Sequence, residues 1–227
     1  MRHLVLTRSA YGPSYPLDAN RRRLALTLAV TVPCMREQID RAWTWVVLLD
    51  PDDPLRAERE AAFSSAGPTE FLHDRIDPAG RQDGTALGRW SLPRSGPLLS
   101  TRLDDDDAIA PWFLDTVARV RPIQRRLIAM PYGWWWAAGH VRPLRYQRNM
   151  FLSLYSPDGS RHVMETAHNR ASSLGQTQDA GDKRRSWMWV RHRDARGGML
   201  RAHRRPPPEM RATFPIDWTA LDGLAYR

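Results

Sequence analysis

Lysine is nearly missing from this chain: Lys183 stands alone among 34 cationic side chains, and the other 33 are arginine. So lopsided a ratio reads as the codon bias of a GC-rich genome, not as a selected phosphate grip. Cysteine is as scarce. Cys34 is the single one, which excludes an internal disulfide and any cysteine-based zinc site. No apolar run approaches the ~18 residues that a spanning helix needs, so no transmembrane segment is expected. The opening MRHLVLTRSAYGPSYPL lacks the apolar core and small-residue cleavage site of a secretory leader, which makes a cytoplasmic location the expectation. What is present is ordinary for a globular protein: 227 residues, 42% hydrophobic and 26% charged. That length suits one domain with a real core, not two. The net charge is +9, and residues 181–211 carry ten cations against three anions. This basic stretch is either a solvated face or a surface for phosphates, anionic headgroups or an acidic partner.

Residues 3–7 form a short apolar run bounded by a Ser/Gly/Pro loop and suit a buried strand. A helix is expected from Arg21 towards Gln38, capped by Asp18 or Asn20 and kinked or divided at Pro33. Residues 43–49, WTWVVLL, are the best strand in the sequence. A helix over 54–63 and a strand over 69–72 follow, then a polar Gly/Pro-rich loop over 77–97. The run 98–103 reads as a strand and 108–120 as a helix with Pro111 in its first turn. Strands are expected over 126–130, 133–138, 150–155, 162–165 and 187–192, with loop or short helix over 171–181. Pro206-Pro207-Pro208 leads a tail that packs back through Phe214, Ile216, Trp218 and Leu221. Alternating strands and helices in the first 120 residues predict a mostly parallel sheet in one α/β domain with an irregular second half.

The most informative segment is Asp104-Asp105-Asp106-Asp107, directly after a hydrophobic strand. Four adjacent carboxylates repel one another unless a cation binds or some protonate. In an extended segment Asp104 and Asp106 point the same way and converge on one ion. Hard oxygen ligands at a strand's carboxyl end suit Mg²⁺ or Mn²⁺ with substrate phosphates. The other reading is a solvated acidic turn that caps the following helix.

The run TRLDDDDA at 101–108 resembles the T-R-L-D-x-D-D-A segment of the putative rhamnosyl transferases, relatives of glycosyltransferase family 2, and the Asp-x-Asp signature of GT-A glycosyltransferases. Other segments agree in order: HLVLTR at 3–8, MREQIDRAWTWVVLLD at 35–50, NMFLSL at 149–154 and MWVRH ending at His192. Together they span residues 3–192. One departure is Arg193-Asp194, where the family tends to carry Gly and Asn.

The resemblance implies a single GT-A domain with a Rossmann-like, mostly parallel central sheet over residues 1–205. Its nucleotide-binding half is 1–107 and its acceptor half 108–205, with 206–227 as the Pro-led tail. It implies a metal-dependent, inverting transfer of a sugar from a nucleotide-diphosphate donor to a glycan or lipid-linked acceptor, with Mn²⁺ or Mg²⁺ as cofactor. Rhamnose is the family's label and does not follow from the residues. Asp106 is then the direct metal ligand, with Asp104 binding metal through water or holding the donor ribose, and His192 completing the shell. Thr7, Arg8, Asp50, Arg102 and Asp107 belong to the nucleotide-sugar site, Arg102 either on the diphosphate or holding the quartet. Glu165, Asp179 and Asp182 are candidates for the base that inversion requires, with Asp179 and Asp182 favoured. Trp135, in the triplet 134–136, and His168 are acceptor-site candidates, although strand alternation sends part of the triplet into the core. No nucleic-acid partner is expected. The basic C-terminal third suits peripheral contact with the inner membrane face. Two competing readings use the same residues: a two-metal phosphodiesterase or nuclease that grips nucleic acid with the basic third, and a degenerate GT-A fold that binds without catalysis.

Overall fold

The computed structural model describes residues 1–9, 15–74, 96–166, 168–192 and 205–225. The expected loop over 77–97 therefore lies almost wholly outside the described residues, as does most of the arginine-rich stretch after His192, including Arg193 and Asp194.

Four parallel strands form the nucleus: β1 (Arg2–Arg8), β2 (Trp43–Leu49), β3 (Thr69–His73) and β4 (Leu98–Arg102). The β2 sequence is almost continuously apolar because both of its faces are covered. Trp45, Val47 and Leu49 enter one core cluster, whereas Val46 and Leu48 enter another on the opposite face. Three further strands extend the sheet beyond β4, in the order β10-β6-β9-β4-β1-β2-β3: β6 (Arg126–Ala129), β9 (Ser153–Ser156) and β10 (Thr177–Asp179). Only β9 runs against its neighbours. The carboxyl ends of β1, β2, β4, β6 and β10 thus share one edge. The expected single, mostly parallel α/β sheet is present, and residues 108–205 supply three of its seven strands.

A smaller sheet has the order β5-β11-β7-β8, from β5 (Ala108–Ile109), β7 (Tyr132–Ala137), β8 (His140–Arg145) and β11 (Trp187–Arg191). Residues 103–107 carry the chain from β4 of the large sheet to β5 of the small one. The acidic quartet is therefore the joint between the two sheets.

Several local expectations are corrected. Pro33 does not divide its helix. The helical path continues through α1 (Leu17–Leu26), a π turn at Thr27–Thr31 and α2 (Val32–Arg36). Pro33 has no N–H to offer the Ala29 carbonyl, which accepts from the Asp217 amide at 2.8 Å instead. Residues 108–120 do not form one helix. Ala108 and Ile109 pair with β11 before α4 (Phe113–Arg119) begins, so tertiary pairing overrides local pattern. Residues 163–165 form a 3₁₀ turn and not a strand, closed by a reciprocal cap between His162 and Glu165. The segment His168–Leu174 is also 3₁₀. The strand β8 escapes the sequence reading because it contains Pro143, which is tolerated at the edge of a sheet.

The tail packs back as expected. Between α5 (Pro208–Thr213) and α6 (Trp218–Ala225), the residues Met210, Phe214, Ile216 and Leu221 are buried against the π turn and the small sheet, with Trp218 partly buried beside them.

Candidate active site

The quartet forms a tight turn in which the Asp107 amide donates to the Asp104 carbonyl at 3.3 Å. This is not the extended path that would point Asp104 and Asp106 the same way, and each carboxylate has its own surroundings. Asp104 is the most open, and Arg102 donates to its Oδ1 from Nε and Nη2 at 3.3 Å. Arg102 thus holds the turn. Asp107 is buried and accepts the Val190 amide at 2.8 Å, while the Thr31 hydroxyl donates to its carbonyl at 3.0 Å. Burial foremost, then the charges of Asp106 and Asp104, push its carboxyl well above the usual carboxylate range. Asp107, expected at the nucleotide-sugar site, is buried and clamps the quartet to β11.

Asp105, which the sequence reading passes over, is the anchor. It is fully buried. The Ser9 hydroxyl donates to its Oδ2 at 2.5 Å, and Arg23 donates to its Oδ1 from Nε at 2.9 Å and Nη2 at 2.7 Å. Arg59, itself fully buried, stands 3.8 Å away on the other side. Arg59 also bonds Asp53 at 2.8 Å, Ser9 at 3.1 Å and Asn20, and Asn20 donates to Asp53 at 2.9 Å. This network ties α1, α3 (Arg56–Ser64) and the ends of β1, β2 and β4 together beneath the quartet.

Asp106 faces His192, the residue after β11, with Oδ2 and Nε2 2.9 Å apart. Arg23 Nη1 sits against both, 2.8 Å from Asp106 Oδ2 and 2.9 Å from His192 Nε2. The sequence analysis names both Asp106 and His192, which the structure brings together, whereas Arg23, Ser9 and Arg59 are missed. Arg21, Arg22 and Arg23 give no sign of which turns inward, and Ser9 reads as loop.

The other expected site residues fall as follows. Thr7 is buried, donates to the Leu103 carbonyl at 2.7 Å and accepts the Trp45 indole N–H at 2.8 Å. It locks β1 to β2 and to the end of β4, with its hydroxyl already engaged on both sides. Arg8 is half-buried at the end of β1. Asp50 closes β2, buried, with the Asp52 amide on its Oδ1. Trp135 is 1% exposed and belongs to the packed interior of the small sheet; Trp134 and Trp136 point to the opposite face, into the cluster beneath the tail. That alternation removes an exposed stacking platform at Trp135. Asp179 ends β10 on the same sheet edge as the quartet and is exposed, its Oδ1 accepting the Gly181 amide at 2.8 Å. Asp182 is taken up by Arg184 at 2.6 Å. Burial pushes its carboxyl up, but hydrogen bonds and charge from Arg184 outweigh this and hold it below the usual range. Glu165 serves the 3₁₀ cap and pairs with Arg161. The backbone of His168 lies in the second 3₁₀ segment; its side chain is outside the described residues.

Two resembling segments prove architectural. Gln38 is buried, donates to the Cys34 and Ala110 carbonyls, and accepts the Leu114 amide. Asn149 is buried, donates to the Met130 and Tyr146 carbonyls, and accepts the Phe151 amide.

The model of the family described as putative rhamnosyl transferase matches residues 17–197. The chain belongs to the putative rhamnosyl transferase family. That match covers most of both sheets and the whole quartet. Among solved structures, the chain is similar to TarS 1-349 of S. aureus. In the complex with UDP-GlcNAc the TM-score is 0.53 at 9% identity, over 88% of this chain and 60% of TarS 1-349. In the UDP complex it is 0.52 at 9% identity, over 85% and 61%. At that identity the likeness is one of fold, and this chain spans about three fifths of that structure's length. No curated protein matches the sequence.

Proposed function

We propose that this chain is a metal-dependent glycosyltransferase that moves a sugar from a nucleotide-diphosphate donor to an acceptor hydroxyl. The observation that carries this reading is the placement of Asp50, Asp104 and Asp106 along one carboxyl edge of the large sheet, with His192 of the small sheet brought against Asp106, beside Arg23 and above a buried polar floor. Ligands of open α/β sheets bind at that edge. The family and the TarS fold, known in complexes with UDP and UDP-GlcNAc, support a nucleotide-sugar donor.

Among the described residues, no three His, Cys, Asp or Glu side chains close into a metal cage. The chemistry fits an open site instead. Asp106 Oδ2 and His192 Nε2 stand 2.9 Å apart, close to the roughly 3.0 Å between adjacent ligands of an ion with ~2.1 Å bonds at right angles. Asp106 and His192 would hold Mn²⁺ or Mg²⁺, with Asp104 reaching it through water. When bound, the ion neutralises the charge that develops on the leaving diphosphate. Asp50 orients the nucleoside, and Arg102 fixes Asp104. Asp179 is the better candidate for the base that deprotonates the acceptor. It lies on the shared edge, three strand spacings (about 14 Å) from β4, whereas Asp182 is occupied by Arg184. Inversion, the donor sugar and a lipid-linked acceptor at the inner membrane face belong to this proposal. No described helix is long and apolar enough to cross a membrane.

The test is thermal unfolding with UDP, GDP or dTDP, each with and without Mn²⁺. A ligand at a hundred times its Kd adds about 2.7 kcal/mol of stability. The expected outcome is a rise in Tm with one nucleotide that requires Mn²⁺ and disappears in Asp106→Asn. No shift with any nucleotide, in a protein that unfolds cooperatively, would sink the reading and favour a degenerate fold; Mg²⁺-dependent DNA cleavage would favour a nuclease.

A further inference from the structure

The Arg23 guanidinium spans the anchor Asp105 and two candidate ligands at once. Its Nε and Nη2 hold Asp105, and its Nη1 meets both Asp106 Oδ2 and His192 Nε2. With the 2.9 Å contact between Asp106 and His192, these last three atoms form a nearly equilateral triangle. No placement of hydrogens satisfies that triangle. The two hydrogens of Nη1 diverge by about 120°, whereas its two partners lie about 60° apart by these distances. If Nε2 carries the ring proton it donates to Asp106 and opposes Nη1. If it does not, its lone pair faces the carboxylate oxygen. A spherical cation at the same place would satisfy both lone-pair donors.

The two arginines that reach Asp105 also differ in freedom. Arg59 is fully buried and held by Asp53, Ser9 and Asn20. Arg23 keeps 14% of its side chain exposed. If Arg23 leaves, Asp105 retains the Ser9 hydroxyl at 2.5 Å and the Arg59 charge at 3.8 Å. Its departure therefore strips no buried carboxylate of all compensation, the usual reason such pairs stay shut.

We infer that Arg23 is the resting occupant of the cation position between Asp106 and His192, that a divalent ion and this guanidinium exclude one another there, and that the displaced guanidinium moves onto the donor's diphosphate. A planar fork binds phosphate oxygens in pairs. The exchange makes ion and nucleotide binding mutually reinforcing, because each removes part of the cost of moving Arg23, and coupling of this kind is reciprocal. The inference rests on the glycosyltransferase reading and refines how its site loads.

The experiment is Mn²⁺ binding by electron paramagnetic resonance, with no nucleotide and then with UDP, on the wild type, Arg23→Gln and Arg23→Lys. Folding is checked by urea midpoint. Wild type should bind Mn²⁺ weakly alone and at least tenfold more tightly with UDP. Arg23→Gln should bind Mn²⁺ at least tenfold more tightly than wild type without UDP, and gain less from UDP. Arg23→Lys keeps a charge near Asp105 with a single point donor, so it should fall between the two; it carries the test if Arg23→Gln does not fold. Unchanged or weaker Mn²⁺ affinity without UDP in the folded variants overturns the inference while leaving the proposed function standing, provided wild type binds Mn²⁺ with UDP. No Mn²⁺ binding by any protein, with or without UDP, overturns both.

Discussion

Arg59 shows what one buried charge does here. It has no exposure and compensates Asp53 directly and Asp105 at 3.8 Å. Arg59→Ala leaves Asp53 buried without its paired cation, and removing one partner of a buried pair costs about 3–5 kcal/mol. A correspondingly lowered urea midpoint is expected; a loss under about 1 kcal/mol would mean that the network is not what holds the floor. His3 makes a second residue-scale prediction. It is buried, with Nε2 2.9 Å from the Thr101 hydroxyl, which lies 2.7 Å from Ser153. Burial lowers its pKa from 6.5 to about 4, against a smaller opposite pull from Asp40. The folded ring thus stays neutral where the unfolded chain takes up a proton. Stability should fall as pH drops from about 6.5 to about 4, by roughly 3 kcal/mol in all, and level off below. In His3→Gln that part of the slope should vanish, read as the difference in urea midpoint between pH 7 and pH 4.5 for variant and wild type. Equal slopes would refute it.

At the scale of elements, packing decides what pattern leaves open. Gly133 in β7 lies against the Trp187 indole of β11, and any Cβ there would run into the ring. Trp187 in turn stacks on Phe151 at 5.1 Å and donates its indole N–H to the Met130 carbonyl. Gly133→Ala should therefore loosen the small sheet by about 1–3 kcal/mol or more, seen as lost near-ultraviolet circular dichroism from the tryptophans; an unchanged spectrum and midpoint would contradict this. The sequence reveals β1, β2, β3, β4, β6, β7, β9 and β11, most clearly β2, whose apolar run reflects burial on both faces. Those it hides owe their form to distant partners. The two-residue β5 exists through Ala108 and Ile109 pairing with β11, and β8 carries a proline at its register position opposite Trp134. The helix around Pro33 stays whole because the tail supplies Asp217 to the freed carbonyl, a contact nearly 190 residues away that no local pattern encodes.

Across the whole molecule, the quartet joins the two sheets and draws on every part of the chain for its partners. Ser9 follows β1, Arg23 comes from α1, Arg59 from α3, and Val190 and His192 from the end of β11. The four aspartates stood out in the sequence because their mutual repulsion has to be relieved by a cation or by protonation. Their separate duties did not, since these depend mostly on partners tens of residues away, up to 96 for Ser9 and Asp105, which a string of identical letters cannot distinguish. Asp105 and Asp107 are taken up by structural partners, while Asp104 and Asp106 are the two that the proposed function assigns to ligands. Thr7, expected at the site from the family resemblance, and Trp135, expected there as an aromatic platform, are interior residues held by partners distant in sequence.

That interior gives the molecule a built-in spectroscopic witness. The Trp45 indole N–H donates to Thr7, whose hydroxyl donates to the carbonyl of Leu103, the residue just before the quartet. One relay of two hydrogen bonds connects an aromatic ring in the core to the backbone where the acidic turn begins. Fluorine placed on that ring would let nuclear resonance follow the turn from below, with no dye at the mouth of the site to compete with whatever enters it.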